Sequence, residues 1–98
     1  MLSVIIPSYK DPLLNKTIES LLSNAETDLE VIVVLDGYWT HNIINDKRVK
    51  YVHLGKNRGM RGAINAGVAV SRGEYLMRTD EHVMVCPGYD RILIKTFE

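Results

Sequence analysis

Residues Val31 to Leu35 are five consecutive aliphatic residues, four of them β-branched. The run is too short for a helix and does not alternate with polar residues, so neither of its faces is reserved for water. A strand of this kind belongs in the middle of a parallel sheet with helices packed on both sides. The neighbouring segments supply the parts that such a sheet needs. Leu2 to Ile6 reads as a strand, and Asp11-Pro12 opens a helix with Asp at the N-cap and Pro at the first helical position. In that helix Leu14, Ile18, Leu21, Leu22 and Ala25 form one apolar stripe, whereas Glu19, Ser20, Ser23 and Asn24 are expected to face water.

Asp36-Gly37 ends the aliphatic strand, and an irregular stretch follows from Tyr38 to Lys47. Arg48 to Leu54 mixes charged and β-forming residues, as a strand nearer the edge would. Asn57-Arg58-Gly59 opens a second helix, in which Met60, Ala63, Ile64, Gly67 and Val68 share one face. Gly73 is the expected C-cap and Glu74 to Thr79 the next strand. This alternating order predicts an α/β layer with right-handed crossovers. From Gly88 to Glu98 a further helix begins, and its Ile92, Leu93 and Phe97 require a partner surface. That apolar tail points to dimerisation or to reduced stability.

At 98 residues the chain is one domain. Its 12 basic and 12 acidic residues cancel, which removes the electrostatic case for nucleic acid or an anionic membrane as partner. No apolar run approaches the length of a transmembrane segment, and no signal peptide opens the sequence, so a cytoplasmic protein is expected. The single cysteine, Cys86, cannot close an internal disulfide and is expected to be a small buried apolar side chain.

In open α/β sheets, ligands bind beyond the carboxyl ends of the strands. That rule selects Pro7, Ser8, Tyr9 and Asp11 after the first strand, Asp36 after the second, and Asp80, Glu81 and His82 after the last. Asn57 to Arg61 adds a helix N-terminus bearing Arg58 and Arg61, either phosphate-binding or simply solvated. If the last strand stays extended, Asp80 and His82 project to one side and Glu81 to the other. A carboxylate and an imidazole can then share one divalent ion, and this mixed oxygen and nitrogen set suits manganese better than calcium. The alternative is a solvated turn, but the end of a buried-type strand favours the metal. For Asp36 a turn cap with Gly37 competes with a ligand contact, and spacing alone favours the cap. Tyr9 is either a stacking surface for a flat base or a half-buried loop aromatic. His41 and His53 lack ligand partners at suitable spacing and read as structural.

Four ordered blocks share a further pattern: Ser3 to Tyr9 (SVIIPSY), Glu30 to Gly37 (EVIVVLDG), Asn57 to Gly67 (NRGMRGAINAG) and Gly73 to His82 (GEYLMRTDEH). Together they resemble the family-2 glycosyltransferases from Ser3 to about Tyr89. The resemblance implies a GT-A fold, with residues 1–98 as a single nucleotide-sugar-binding half and the acceptor half absent. It implies that Pro7 and Tyr9 line a base pocket, that Asp36 bonds the base N–H, and that Asp11 lies near the nucleoside. Asp80 and His82 take the place of the family's Asp-x-Asp motif, which holds metal and diphosphate. The Asp-x-His variant, together with Arg61, is similar to the polypeptide N-acetylgalactosaminyltransferases and implies a UDP-sugar donor with Mn2+ or Mg2+. Leu35 stands where relatives often carry a second Asp, and Arg78 where they carry an apolar residue.

Members of this family continue well beyond this length, and their acceptor-activating carboxylate lies in that later part, so no catalytic base is assigned here. The resulting expectation is the donor half of a metal-dependent glycosyltransferase acting on an unspecified acceptor. Its rivals are a non-catalytic nucleotide-binding module and a receiver-like signalling domain with Asp36 as phosphorylation site. The latter needs an acidic pair after the first strand, where Pro7-Ser8-Tyr9 has none.

Overall fold

In the computed structural model, which describes residues 1–97, strands β1 (Leu2–Ser8) and β2 (Leu29–Asp36) lie side by side and every residue of both is buried. They pair in parallel from Leu2 opposite Leu29 to Ser8 opposite Leu35. Strand β3 (Val49–Leu54) adds to the outer side of β2, and β4 (Tyr75–Arg78) to the outer side of β1. Among the described residues the sheet order is thus β3-β2-β1-β4, all parallel. The two central strands are those with the longest aliphatic runs, because only they are covered on both faces.

Helix α1 (Leu14–Ser23) packs Leu14, Ile18 and Leu21 against Val4, Ile6, Val31 and Val33 on one face of the sheet. Helix α3 (Tyr89–Phe97) extends that layer through Tyr89, Leu93 and Ile94. On the other face, α2 (Gly59–Val70) sets Ala63 over Ile5, Ile32, Val34 and Leu54. Gly67 lets this helix lie close to the sheet, since a Cβ there would stand 2.7 Å from the Ile5 side chain. No helix among the described residues is long and apolar enough to cross a membrane.

Several local expectations change. The first helix starts at Leu14: Asp11 instead shapes a preceding turn, in which its carboxylate accepts the Leu13 N–H at 2.8 Å. Only Ala63 and Gly67 of the expected α2 face are buried, whereas Met60 and Val68 are exposed, because α2 sits over β1 and β2 and leaves edge strand β4 uncovered. β4 is correspondingly an edge strand of alternating exposure, not a buried-type one. Gly73 does not cap α2, whose last turn closes through Ser71; it passes so near β1 that a Cβ would lie 2.5 Å from the Met1 carbonyl. α3 finds part of its partner surface in the core and in Phe97 stacked on Tyr75, but Ile92 remains 61% and Phe97 66% exposed. Glu98, the last residue of the helix expected there, lies outside the described residues.

At the amino end of the sheet, Glu30 is buried and fully engaged. It accepts from Lys50 Nζ at 2.8 Å, Ser3 Oγ at 2.6 Å and the Arg72 N–H at 2.5 Å. Burial alone would raise its pKa, but these three donors outweigh that and bring it from 4.5 to about 2. A depressed carboxylate contributes stability that is complete above its unfolded value and is lost as pH falls through the folded one. Stability should therefore decline as pH drops from 4.5 toward 2, and Glu30→Gln should flatten that decline while costing about 2 kcal/mol at neutral pH. Chemical denaturation across a pH series checks both.

Candidate functional site

The carboxyl ends of β1 and β2 deliver Pro7, Ser8 and Asp36 to one edge of the sheet. Asp36 is only 5% exposed, and its two oxygens accept the N–H groups of Arg58 at 2.7 Å and Gly59 at 3.0 Å. A carboxylate is favoured there, at the positive end of a helix. The residue thus ties β2 to the start of α2 instead of capping its own Asp36-Gly37 turn. With Pro7, Ser8, Tyr9, Asn57, Met60 and Glu81 it lines a cleft of about 230 Å³.

Glu81 occupies the opposite wall. Its carboxylate accepts from Ser8 Oγ at 2.9 Å and from the Asp11 N–H at 3.2 Å, while Ser8 Oγ is also hydrogen-bonded to the Tyr38 hydroxyl. The side chain therefore turns toward the end of β1, contrary to the expectation that it points away. The reason is that β4 ends at Arg78 and the backbone bends at Glu81 and His82, so strand alternation does not extend through Asp80 and His82. Asp80 is exposed, and His82 Nδ1 lies 3.3 Å from Asp11 Oδ2 with the imidazole 61% exposed. Among the described residues no three His, Cys, Asp or Glu side chains converge as a ready metal cage.

Tyr9, 52% exposed, meets Tyr38 edge to face and carries Lys10 Nζ 5.2 Å above its ring centroid. Beyond it a second cleft, of about 370 Å³, is bounded by Lys10, Asp11, Asn15, Tyr38, Trp39 and Asn42. Tyr38 and Trp39 belong to the stretch read as irregular. The signal for them was two consecutive aromatics directly after the turn that ends β2. Arg61 stands apart, lining a separate hollow with Met60, Ile64 and Arg78. Pro7, Tyr9 and Asp36 thus come together, Asp11 borders the same rim, and Arg61 does not join them.

The segment after β4 is held by α1. Thr17 Oγ1 donates to the Glu81 carbonyl at 2.6 Å and accepts the Val83 N–H at 3.0 Å; Ser20 Oγ accepts the Val85 N–H at 3.1 Å. Asn24 Nδ2 donates to the Val85 carbonyl at 3.1 Å, and its own carbonyl accepts the Gly88 N–H at 2.8 Å. Ser20, expected to be solvated, is buried because it serves this ladder. Val83 and Val85 are partly buried while Met84 and Cys86 are exposed, which corrects the expectation that Cys86 is a buried apolar filler. Asp90 completes the anchor by accepting from the Glu26 and Thr27 N–H groups and from Thr27 Oγ1.

A parallel sheet flanked by helices, with its loops gathered at the carboxyl edge, is the arrangement of the GT-A fold. Structural comparison agrees: Staphylococcus aureus TarS shares the fold at a TM-score of 0.79 and 19% identity, over 96% of this chain and 19% of that one. Residues 3–98 match glycosyl transferase family 2, and the chain belongs to that family. A Rickettsia bellii glycosyltransferase is 40% identical over 80% of this chain and 12% of its own length. Bacillus subtilis EpsJ, also a glycosyltransferase, is 31% identical over 78% of this chain. The chain spans 24% of EpsJ.

Because Thr17 bonds both a carbonyl and an N–H of the rim segment, Thr17→Val should leave two backbone groups unsatisfied at nearly unchanged volume. The expected cost is about 2 kcal/mol, with faster hydrogen exchange confined to residues 81–85. Exchange measured by NMR distinguishes this local loosening from global destabilisation.

Proposed function

We propose that this chain is the donor-binding part of a glycosyltransferase, taking a nucleoside diphosphate sugar and a divalent cation. The observation that carries the reading is the cleft between the ends of β1 and β2, where Tyr9, Asp36 and the first residues of α2 surround one space. Tyr9 offers an exposed ring for a flat base to stack on. Asp36 spends one hydrogen bond per oxygen on α2, which leaves acceptor capacity for a base N–H at the cleft. Pro7 closes the floor without adding an N–H donor.

Asp80 and His82 are the residues that would hold the cation. Their carboxylate and imidazole suit Mn2+, with Mg2+ the alternative. Because the chain would offer only these two ligands, the cation would be held jointly with the diphosphate oxygens of the nucleotide. The Asp11 carboxylate, 3.3 Å from His82 Nδ1, would orient that ring, as outer partners do for metal-binding histidines. Such a cation supplies charge neutralisation to a departing diphosphate during displacement at the sugar anomeric carbon. The Asp-x-His order, which resembles that of the polypeptide N-acetylgalactosaminyltransferases, favours a UDP-sugar.

Two consequences are measurable by calorimetry. Mn2+ alone should bind weakly and UDP alone weakly, whereas the two together should bind at least roughly tenfold more tightly than either. Asp80→Ala and His82→Ala should each remove that gain, and GDP should bind less well than UDP. UDP binding that is indifferent to chelator and to both substitutions would overturn the site.

A further inference from the structure

One carboxylate oxygen holds both ends of the turn that follows β1. Glu81 Oε2 accepts from Ser8 Oγ at 2.9 Å and from the Asp11 N–H at 3.2 Å, and so spans Tyr9 and Lys10. Lys10 needs such a clamp, because its φ of 61° lies in the left-handed region that side chains disfavour. Ser8 has a single hydroxyl proton and gives it to Glu81, so the Tyr38 hydroxyl must be the donor in its own bond to Ser8 Oγ. The donors therefore run in one direction, from Tyr38 to Ser8 to Glu81, and each bond polarises the next. At the far end of this relay the Tyr38 ring meets the Tyr9 ring, with 6.1 Å between centroids and 84° between planes. At the near end the Glu81 carbonyl accepts from Thr17 Oγ1 at 2.6 Å, which fixes the main chain between Asp80 and His82.

We infer that Glu81 is a positioning residue for donor binding, which sets the Tyr9 ring through Ser8, Tyr38 and the Asp11 N–H from its place between Asp80 and His82. The inference rests on the reading of Tyr9 as the base platform and of Asp80 and His82 as cation ligands. It adds that the two halves of donor recognition are joined through one side chain. Glu81 also borders the cleft, and its hydrogen bonds separate positioning from direct contact. Both of them fall on Oε2, a part that the amide oxygen of a glutamine can play at the same length. A carboxylate that acted on the cation or the nucleotide by its charge would have no such substitute.

The test is calorimetry of UDP binding in the presence of Mn2+, on the 98-residue chain, with circular dichroism as the check on folding. Glu81→Ala should weaken binding by about tenfold, and Glu81→Gln should keep it within about twofold of the unsubstituted chain. Tyr38→Phe, which removes only the hydroxyl at the head of the relay, should cost about fivefold, the ordinary worth of one hydrogen bond. Combining it with Glu81→Ala should cost no more than Glu81→Ala alone, because the relay is then already broken. Mn2+ with inorganic pyrophosphate, which has no base to stack, should bind Tyr38→Phe as it binds the unsubstituted chain. In the ligand-free protein, amide exchange at Asp11 should quicken in Glu81→Ala and not in Glu81→Gln. Glutamine as damaging as alanine overturns the proposal, as do losses that simply add in the double variant. If the donor reading itself is wrong, the unsubstituted chain shows no gain from Mn2+ on UDP binding, and the inference falls with it.

Discussion

Everything in this molecule is referred to the parallel pairing of β1 with β2. These two strands bury all of their side chains, and each needs a helical layer on both faces to do so. That demand fixes α1 and α3 on one side and α2 on the other, and it leaves β3 and β4 as edges. It also decides where polar chemistry can lie. Within the buried strands charged residues occur only at the two ends, Glu30 near the start of β2 and Asp36 at its finish, and both carboxylates are engaged. Glu30 fastens the amino edge of the sheet through donors from three other segments. Asp36 fastens the carboxyl edge to α2.

The two ends differ in how completely their polar groups are satisfied. Around Glu30, a lysine, a serine hydroxyl and a backbone N–H converge on one carboxylate. At the carboxyl edge, Tyr9 remains exposed at a cleft whose floor is hydrogen-bonded through Ser8, Tyr38 and Glu81, and Asp80 and His82 remain exposed on either side of Glu81 in the chain. A firm floor under exposed groups is the physical requirement for a binding site, because the floor limits the entropy that ligand contact must remove.

How much of this could be read from sequence depends on the range of the interaction concerned. Val31 to Leu35 announced a doubly covered strand because burial on both faces leaves a mark in every residue. The order of elements, the apolar stripe of α1 and the edge position of β3 were legible for the same reason. Ser20, Cys86 and Glu81 were misread because their roles depend on a backbone segment more than fifty residues away, or on a bend that periodicity does not encode. β4 was read as a buried-type strand, whereas among the described residues it lies at the side of the sheet with alternating exposure, because its place in the sheet is set by topology and not by local composition. At the candidate site, the rule of strand ends picked out Pro7, Tyr9 and Asp36, which line one cleft. The α2 contact of Asp36 and the aromatic neighbours Tyr38 and Trp39 emerge only in three dimensions.

The ladder on α1 grips the rim segment almost entirely by its main chain: Thr17, Ser20 and Asn24 bond to carbonyl and N–H groups of residues 81 to 88. Main-chain groups are the same whatever side chains they carry. The identity of the residues at positions 80, 82, 84 and 86 is thereby separated from the fastening of the loop that displays them. A lineage with this fold can exchange the chemistry at its rim by substitution alone, trying one ligand set after another, while the scaffold beneath keeps its shape.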